Sequence, residues 1–174
     1  MDIHEGRWTA RIDGDFVVLI IGARVGNPIR AMRALPLLAS MPKMLADLTK
    51  DPTKGLLGFQ QHGRPFGVIV QYWRSFEALE AFARDPGDRH AQVWREWYRR
   101  AQHKNSAVSI WHETYRVRAG EYEAIYQNVP AIGLMKAGVP TRIGERTASA
   151  RARLGIEVPA QTPAPTDEGV SVPE

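Results

Sequence analysis

The segment Ile110-Trp111-His112-Glu113-Thr114-Tyr115 sets an indole, an imidazole, a carboxylate and a phenol on six consecutive residues. Read as a strand, it sends Trp111, Glu113 and Tyr115 to one face and His112 and Thr114 to the other. Ionisable groups in an apolar setting are costly unless paired, which makes these residues candidates for a functional site. His112 is open to two readings, a working imidazole or a histidine hydrogen-bonded between sheet and helix. Glu113 reads first as a paired carboxylate and second as a general base. A further cluster is His90-Ala-Gln-Val-Trp94, whose four-residue spacing puts His90 and Trp94 on one helix face. A neutral imidazole projecting from a helix into an apolar cavity can ligate haem iron or act as a base. At a helix start it can equally be a surface residue. Trp73 ends an apolar strand and reads as core, while Arg24 and Arg74 at strand ends can bind a carboxylate or sit in solvent.

Composition removes several chemistries. Cysteine is absent, which excludes disulfides, zinc–thiolate sites, iron–sulfur clusters, thiolate-ligated haem and a cysteine nucleophile. There is no His-Glu-x-x-His, no Gly-x-Ser-x-Gly and no phosphate-cradling glycine loop; Gly22-Ala-Arg-Val-Gly26 lacks the rest of a dinucleotide fingerprint. The net charge of +4 comes from basic residues scattered among acids. The densest cluster, Arg142 to Arg153, reads as a solvated helix face, so neither a nucleic-acid nor a membrane partner is expected. Met1 to Gly6 is not a signal peptide and the longest apolar run, Phe16 to Ala23, is too short for a membrane span, which gives a cytoplasmic expectation.

The elements that must position these residues follow from periodicity. Asp15 to Arg24 is a β-branched apolar run bounded by turn residues. Asn27-Pro28 opens a helical stretch through Met32, Leu35, Leu38, Met41, Leu45 and Leu48, interrupted by Pro36 and Pro42. Leu56 to His62 and Phe66 to Trp73 form a hairpin around Gly63-Arg64-Pro65. Ser75 caps a helix over Phe76 to Arg84, a second helix runs from Arg89 to about Lys104, and Ala107 to Val117 is a fourth strand. Tyr122 to Gln127 is a candidate fifth strand, Ile132 to Ala137 a short helix or loop, and Thr141 to Leu154 a basic helix. The expected organisation is an N-terminal arm at 1–14, polar and irregular, a ferredoxin-like domain at 15–130, a C-terminal extension at 131–157 and a disordered tail at 158–174.

The order β-α-β-β-α-β specifies an α+β fold, the ferredoxin-like split βαβ unit with a four-stranded antiparallel sheet and helices on one face. The other face of such a sheet normally meets water and alternates apolar with polar. These strands are apolar on both faces: Phe16, Val18 and Ile20 stand opposite Val17, Leu19 and Ile21. Burying about eight such side chains at roughly 1.5–3 kcal/mol each favours a cover. A second copy of the chain supplies one, giving a homodimer with a dimeric α/β barrel. The alternative cover is the chain's own segment from Pro130 to Leu154.

Five stretches resemble a bacterial and fungal family named after a monooxygenase of the fumagillin pathway. They are Met41-Pro42-Lys43-Met44, Gln71-Tyr72-Trp73-Arg74-Ser75-Phe76-Glu77, His90-x-x-x-Trp94, Ser109 to Tyr115, and Tyr122 to Pro130. The similarity covers about Asp15 to Leu154. That family is similar to the dimeric α/β barrel superfamily, which includes antibiotic-biosynthesis monooxygenases, haem-degrading monooxygenases, chlorite dismutase-like proteins and haem-dependent aldoxime dehydratases. The resemblance implies the dimeric barrel and a monooxygenase-like enzyme acting on a small hydrophobic or aromatic substrate. An aldoxime dehydratase-like enzyme and a non-catalytic haem or ligand binder are the alternatives. Haem-degrading members place a tryptophan near the end of the third strand and a histidine on the next helix, an order that Trp73 and His90 match. In a haem version His112 or His90 would bind the iron, Trp111 and Tyr115 would shape the pocket, and Glu113 would orient a partner or move a proton. In a cofactor-free version His112 would be the base. Arg24 or Asn128 would hold the substrate oxygen, with Tyr126 beside them.

Overall fold

Every second side chain of a strand points the same way, and the strand β2, Phe16–Val25, uses both directions for burial. Val17 and Ile21 enter one core while Phe16 enters another. The computed structural model describes residues 2–27, 29, 32, 43–63, 67–85 and 108–156. The helix expected from Arg89, most of the helical stretch after Asn27, the hairpin turn at 64–66 and the tail beyond 156 lie outside the described residues.

β2 pairs on both edges, with β4, Val68–Trp73, and with β5, Val108–Val117; β3, Leu56–His62, adds to the far side of β4. The antiparallel order β3-β4-β2-β5 puts the first and third strands of the unit in the centre, as the ferredoxin-like pattern requires. α1, Phe76–Arg84, begins at Ser75, whose Oγ accepts from the Ala78 N–H at 3.2 Å. It buries Leu79 and Phe82. With Leu45 and Leu48 from the helical turns at 43–48, these residues cover Val17, Ile21, Ile69 and Trp73. Leu56 joins this core, and the register shift between Leu56 and Gly58 turns both Leu57 and Gly58 toward the other.

The second core corrects three expectations. Residues 1–14 are not irregular: they hold β1, Ile3–Arg11. The candidate fifth strand is displaced to β6, Tyr126–Pro130, and pairs with β1 instead of the main sheet. The basic stretch from Thr141 is not one helix: it is divided among β7, Val139–Arg142, a 3₁₀ turn at Glu145–Thr147 and the short α3, Ala150–Arg153. Strands β6-β1-β7 form a small antiparallel sheet, and α2, Leu134–Ala137, lies between it and the main sheet. Leu134 and Met135 pack with Phe16, Ala10 and Ile12, and Val18, Leu57, Tyr72 and Val117 lie against them. Gly58 permits this approach, because a Cβ there would stand 3.0 Å from the Ala137 backbone. The chain's own two ends therefore cover part of the face expected to await a second copy.

Two polar anchors hold this cover. The Tyr122 hydroxyl accepts from the Ile12 N–H at 2.6 Å and donates to the Ile12 carbonyl at 3.1 Å. Arg153 is not solvated: its side chain is 7% exposed. Its Nε donates to Glu123 Oε1 at 2.6 Å and its Nη1 to the Thr147 carbonyl at 2.7 Å. Tyr122→Phe leaves both Ile12 groups without the hydroxyl. We expect a loss of about 1–3 kcal/mol in urea unfolding and faster amide exchange along β1, with protection in β4 unchanged.

Candidate functional site

On the helix-covered face the register aligns Ile69, Ile21 and His112 in one row and Gln71, Leu19 and Thr114 in the next. α1 crosses above them. Between the two lies a cavity of about 260 Å³, walled by Leu19, Ile21, Leu79 and Phe82. Its polar wall residues include His112, Thr114 and Gln71, and Glu80 and Arg84 line it from α1, joined by an ion pair at 2.8 Å. Gln71 is the buried polar residue of the cavity wall, 2% exposed. Its Oε1 accepts from the Trp73 indole N–H at 3.0 Å, and the Trp73 ring packs against Phe82 at 5.1 Å between centroids.

Strand alternation separates the residues nominated from sequence. Of these, the structure brings His112 to the cavity. Trp111, Glu113 and Tyr115 face the opposite side of the sheet, so they do not shape the pocket that His112 lines. Trp111 is 41% exposed and Tyr115 49% exposed. The Trp111 indole lies across Gly22, where a Cβ would come within 2.6 Å of the ring. Glu113 is a paired carboxylate: the Tyr115 hydroxyl donates to its Oε2 at 2.5 Å, and this bond raises the Tyr115 pKa. Arg24 pairs with Ser109 in the β2–β5 ladder, on the Trp111 side and away from the cavity. Trp73 is fully buried in the core and reaches the cavity only through Gln71. His90 lies outside the described residues.

Tyr126 and Asn128 belong to the small sheet. Asn128 adopts a left-handed φ of 53°, and its Oδ1 accepts from the Gly6 N–H at 2.8 Å, bridging the irregularity of β1 between His4 and Arg7. The Tyr126 hydroxyl accepts from the Met135 N–H at 3.3 Å. Both polar groups bond within the small sheet and its neighbouring helix, and neither residue lines the cavity that His112 lines. Sequence reading missed Gln71. Its signal was a lone amide in the apolar run Val68-Ile-Val-Gln-Tyr-Trp73.

The donor chemistry bears on the cofactor. Among the described residues no group of three or more His, Asp or Glu side chains could hold a metal ion. His112 is the imidazole that the sheet presents to the largely apolar wall of the cavity. No helix among the described residues is long and apolar enough to cross a membrane.

Comparison with known proteins adds the family. The family described as Monooxygenase af470-like matches residues 16–134. Monooxygenase af470 of Aspergillus fumigatus is 26% identical over 185 aligned residues, covering 93% of this chain and 64% of the relative's length. Two solved structures share the fold. An aldoxime dehydratase in complex with butyraldoxime matches at a TM-score of 0.58 and 17% identity, over 87% of this chain and 43% of its own. Another aldoxime dehydratase matches at 0.55 and 18%, over 87% of this chain and 44% of its own.

Burial on the far side of the sheet has a pH signature. It pushes the Tyr72 hydroxyl up to about 12, with nearby Tyr126 adding to the shift. The folded protein then holds a proton that the unfolded chain releases near pH 10. Tyr72's contribution to stability is complete below pH 10 and is lost between about pH 10 and 12. Urea midpoints measured across that window should fall with rising pH, and less steeply in Tyr72→Phe.

Proposed function

The chain belongs to the Monooxygenase af470-like family, and from that premise we propose that it is a monooxygenase-like oxidoreductase. Its substrate is a small hydrophobic or aromatic molecule held between α1 and the four-stranded sheet. The observation that carries this reading is His112 at the wall of a largely apolar cavity of about 260 Å³. Imidazole takes and returns protons near neutral pH. An apolar wall excludes the water that would compete for a reactive carbanion.

In the cofactor-free form, His112 removes a proton from an activated C–H of the substrate. The resulting carbanion supplies the electrons that reduce molecular oxygen. One oxygen atom enters the product as a carbonyl and the other leaves as water with the two substrate hydrogens. The substrate is oxidised by two electrons beyond the inserted atom, so no outside reductant is needed. In the haem form, His112 would hold the iron through its imidazole and haem would supply oxygen activation. Leu19, Ile21 and Phe82 bind and desolvate the substrate in the cofactor-free form.

A second reading is an aldoxime dehydratase-like enzyme. It is favoured by the shared fold and by a cavity whose scale suits a short-chain ligand such as the butyraldoxime bound in the solved relative. The assembly we propose is a two-fold homodimer forming an α/β barrel, in which the uncovered end of the second sheet face, with Ile20, Val70, Trp111 and Tyr115, meets the same surface of another copy.

Oxygen uptake with electron-rich aromatic substrates tests the proposal, alongside a visible spectrum before and after haem addition. His112→Ala should lower turnover by about 10²–10⁴-fold. A Soret band lost in that variant would identify the haem form. Full turnover in His112→Ala would remove the residue from the mechanism.

A further inference from the structure

The reaction proposed above leaves Gln71 without a task, although its burial is among the most demanding features of the site. An indole N–H can only donate a hydrogen bond, so the atom it meets on the Gln71 carboxamide is oxygen. The 3.0 Å contact from Trp73 thus fixes which way the amide faces. Trp73 is itself held by full burial and by the Phe82 ring.

Two N–H donors remain on Nε2, and among the described residues no acceptor meets them. Thr114 is in the same row, but Leu19 intervenes in the register. Two strand spacings, roughly 10 Å, separate the two backbones. A buried donor pair left without an acceptor is a standing cost to the fold. Gln71 lines the cavity that His112 also lines, so an acceptor placed in that cavity would relieve the cost.

We propose that Gln71 is a substrate-binding residue whose Nε2 donates to a carbonyl oxygen of the ligand, and that the site therefore takes small apolar carbonyl compounds. The inference rests on the reading of the cavity as the substrate site and adds the chemical class. Gln71 and His112 are two strands and two residues apart, roughly 12 Å between Cα atoms, with Leu19 and Ile21 between them. A ligand lying over these two side chains offers its oxygen to Gln71 and an adjacent C–H to His112. When His112 takes the proton, negative charge moves onto the oxygen that Gln71 already holds. The amide then binds the enolate more strongly than the ketone. Trp73 is a positioning residue, since it acts through the amide alone.

Acetophenone and ethylbenzene provide the test, since they share ring and chain and differ in the oxygen. Both are titrated into the full chain labelled with ¹⁵N, following the Gln71 side-chain amide, assigned through its proximity to the Trp73 indole proton. Acetophenone should shift that amide and ethylbenzene should not. Gln71→Met should reduce the preference for the ketone by about tenfold while leaving ethylbenzene within twofold. Trp73→Phe, which frees the amide to turn, should reduce the preference in the same direction and serves if Gln71→Met does not fold. Entry of both probes with no amide shift, or an unchanged preference in the variants, overturns the role of Gln71 and spares the cavity. Failure of both probes to enter the wild-type cavity overturns the cavity reading and this inference together.

Discussion

A central strand hydrogen-bonded along both edges has no freedom to rotate its side chains away from either face. β2 is in that position between β4 and β5, and it is apolar in both directions. The burial of Val17 and Ile21 requires helices on one side. The burial of Phe16 and the packing of Val18 require a second cover on the other. The molecule meets the second demand with segments from its two ends, β1 and the chain after Tyr122. They cover one end of the face and stop. Beyond them Ile20 and Val70 continue the apolar row, and the Trp111 ring lies across Gly22.

The same alternation decides where chemistry can occur. His112 and its neighbours Trp111 and Glu113 are adjacent in sequence and belong to different compartments. A shift of one residue in the β2–β5 register would exchange them, placing the indole under the helices and the imidazole on the open face. The ten-residue ladder between β2 and β5 is long enough to prevent this. The imidazole of His112, the hydroxyl of Thr114 and the amide of Gln71 are consequently what the sheet contributes in polar groups to the cavity beneath α1. This is the usual composition of a small-molecule site, few polar groups in a hydrophobic lining.

Much of the main sheet was legible because its information is local. Leu56–His62 and Phe76–Arg84 have the bounds their patterns predict, and Ser75 caps as its position implies. β1 was not legible. Within β1 Trp8 and Ala10 face inward, with Ile12 just beyond its end, Gly6 breaks the alternation at a positive φ, and its partners lie more than 100 residues away. The segment after Val139 looked helical because Ala and Arg favour helices, yet pairing with β1 and the burial of Arg153 outweigh that preference. At the site, the faces of β5 followed directly from alternation. The choice between them depended on which side the helices cover, which no local pattern encodes. Gln71 was hidden for a related reason, since a single amide in an apolar strand acquires meaning only when Trp73 and the cavity are placed around it.

The central claim is that ligand enters beneath α1, beside His112, and not on the open face beside Trp111. A crystal soaked with 4-bromoacetophenone, with the bromine located by anomalous scattering, tests this directly. We predict one strong peak between α1 and the sheet, within van der Waals reach of Leu19 or Ile21. A peak against Trp111 and Tyr115, with the space beside His112 empty of ligand, would contradict the account.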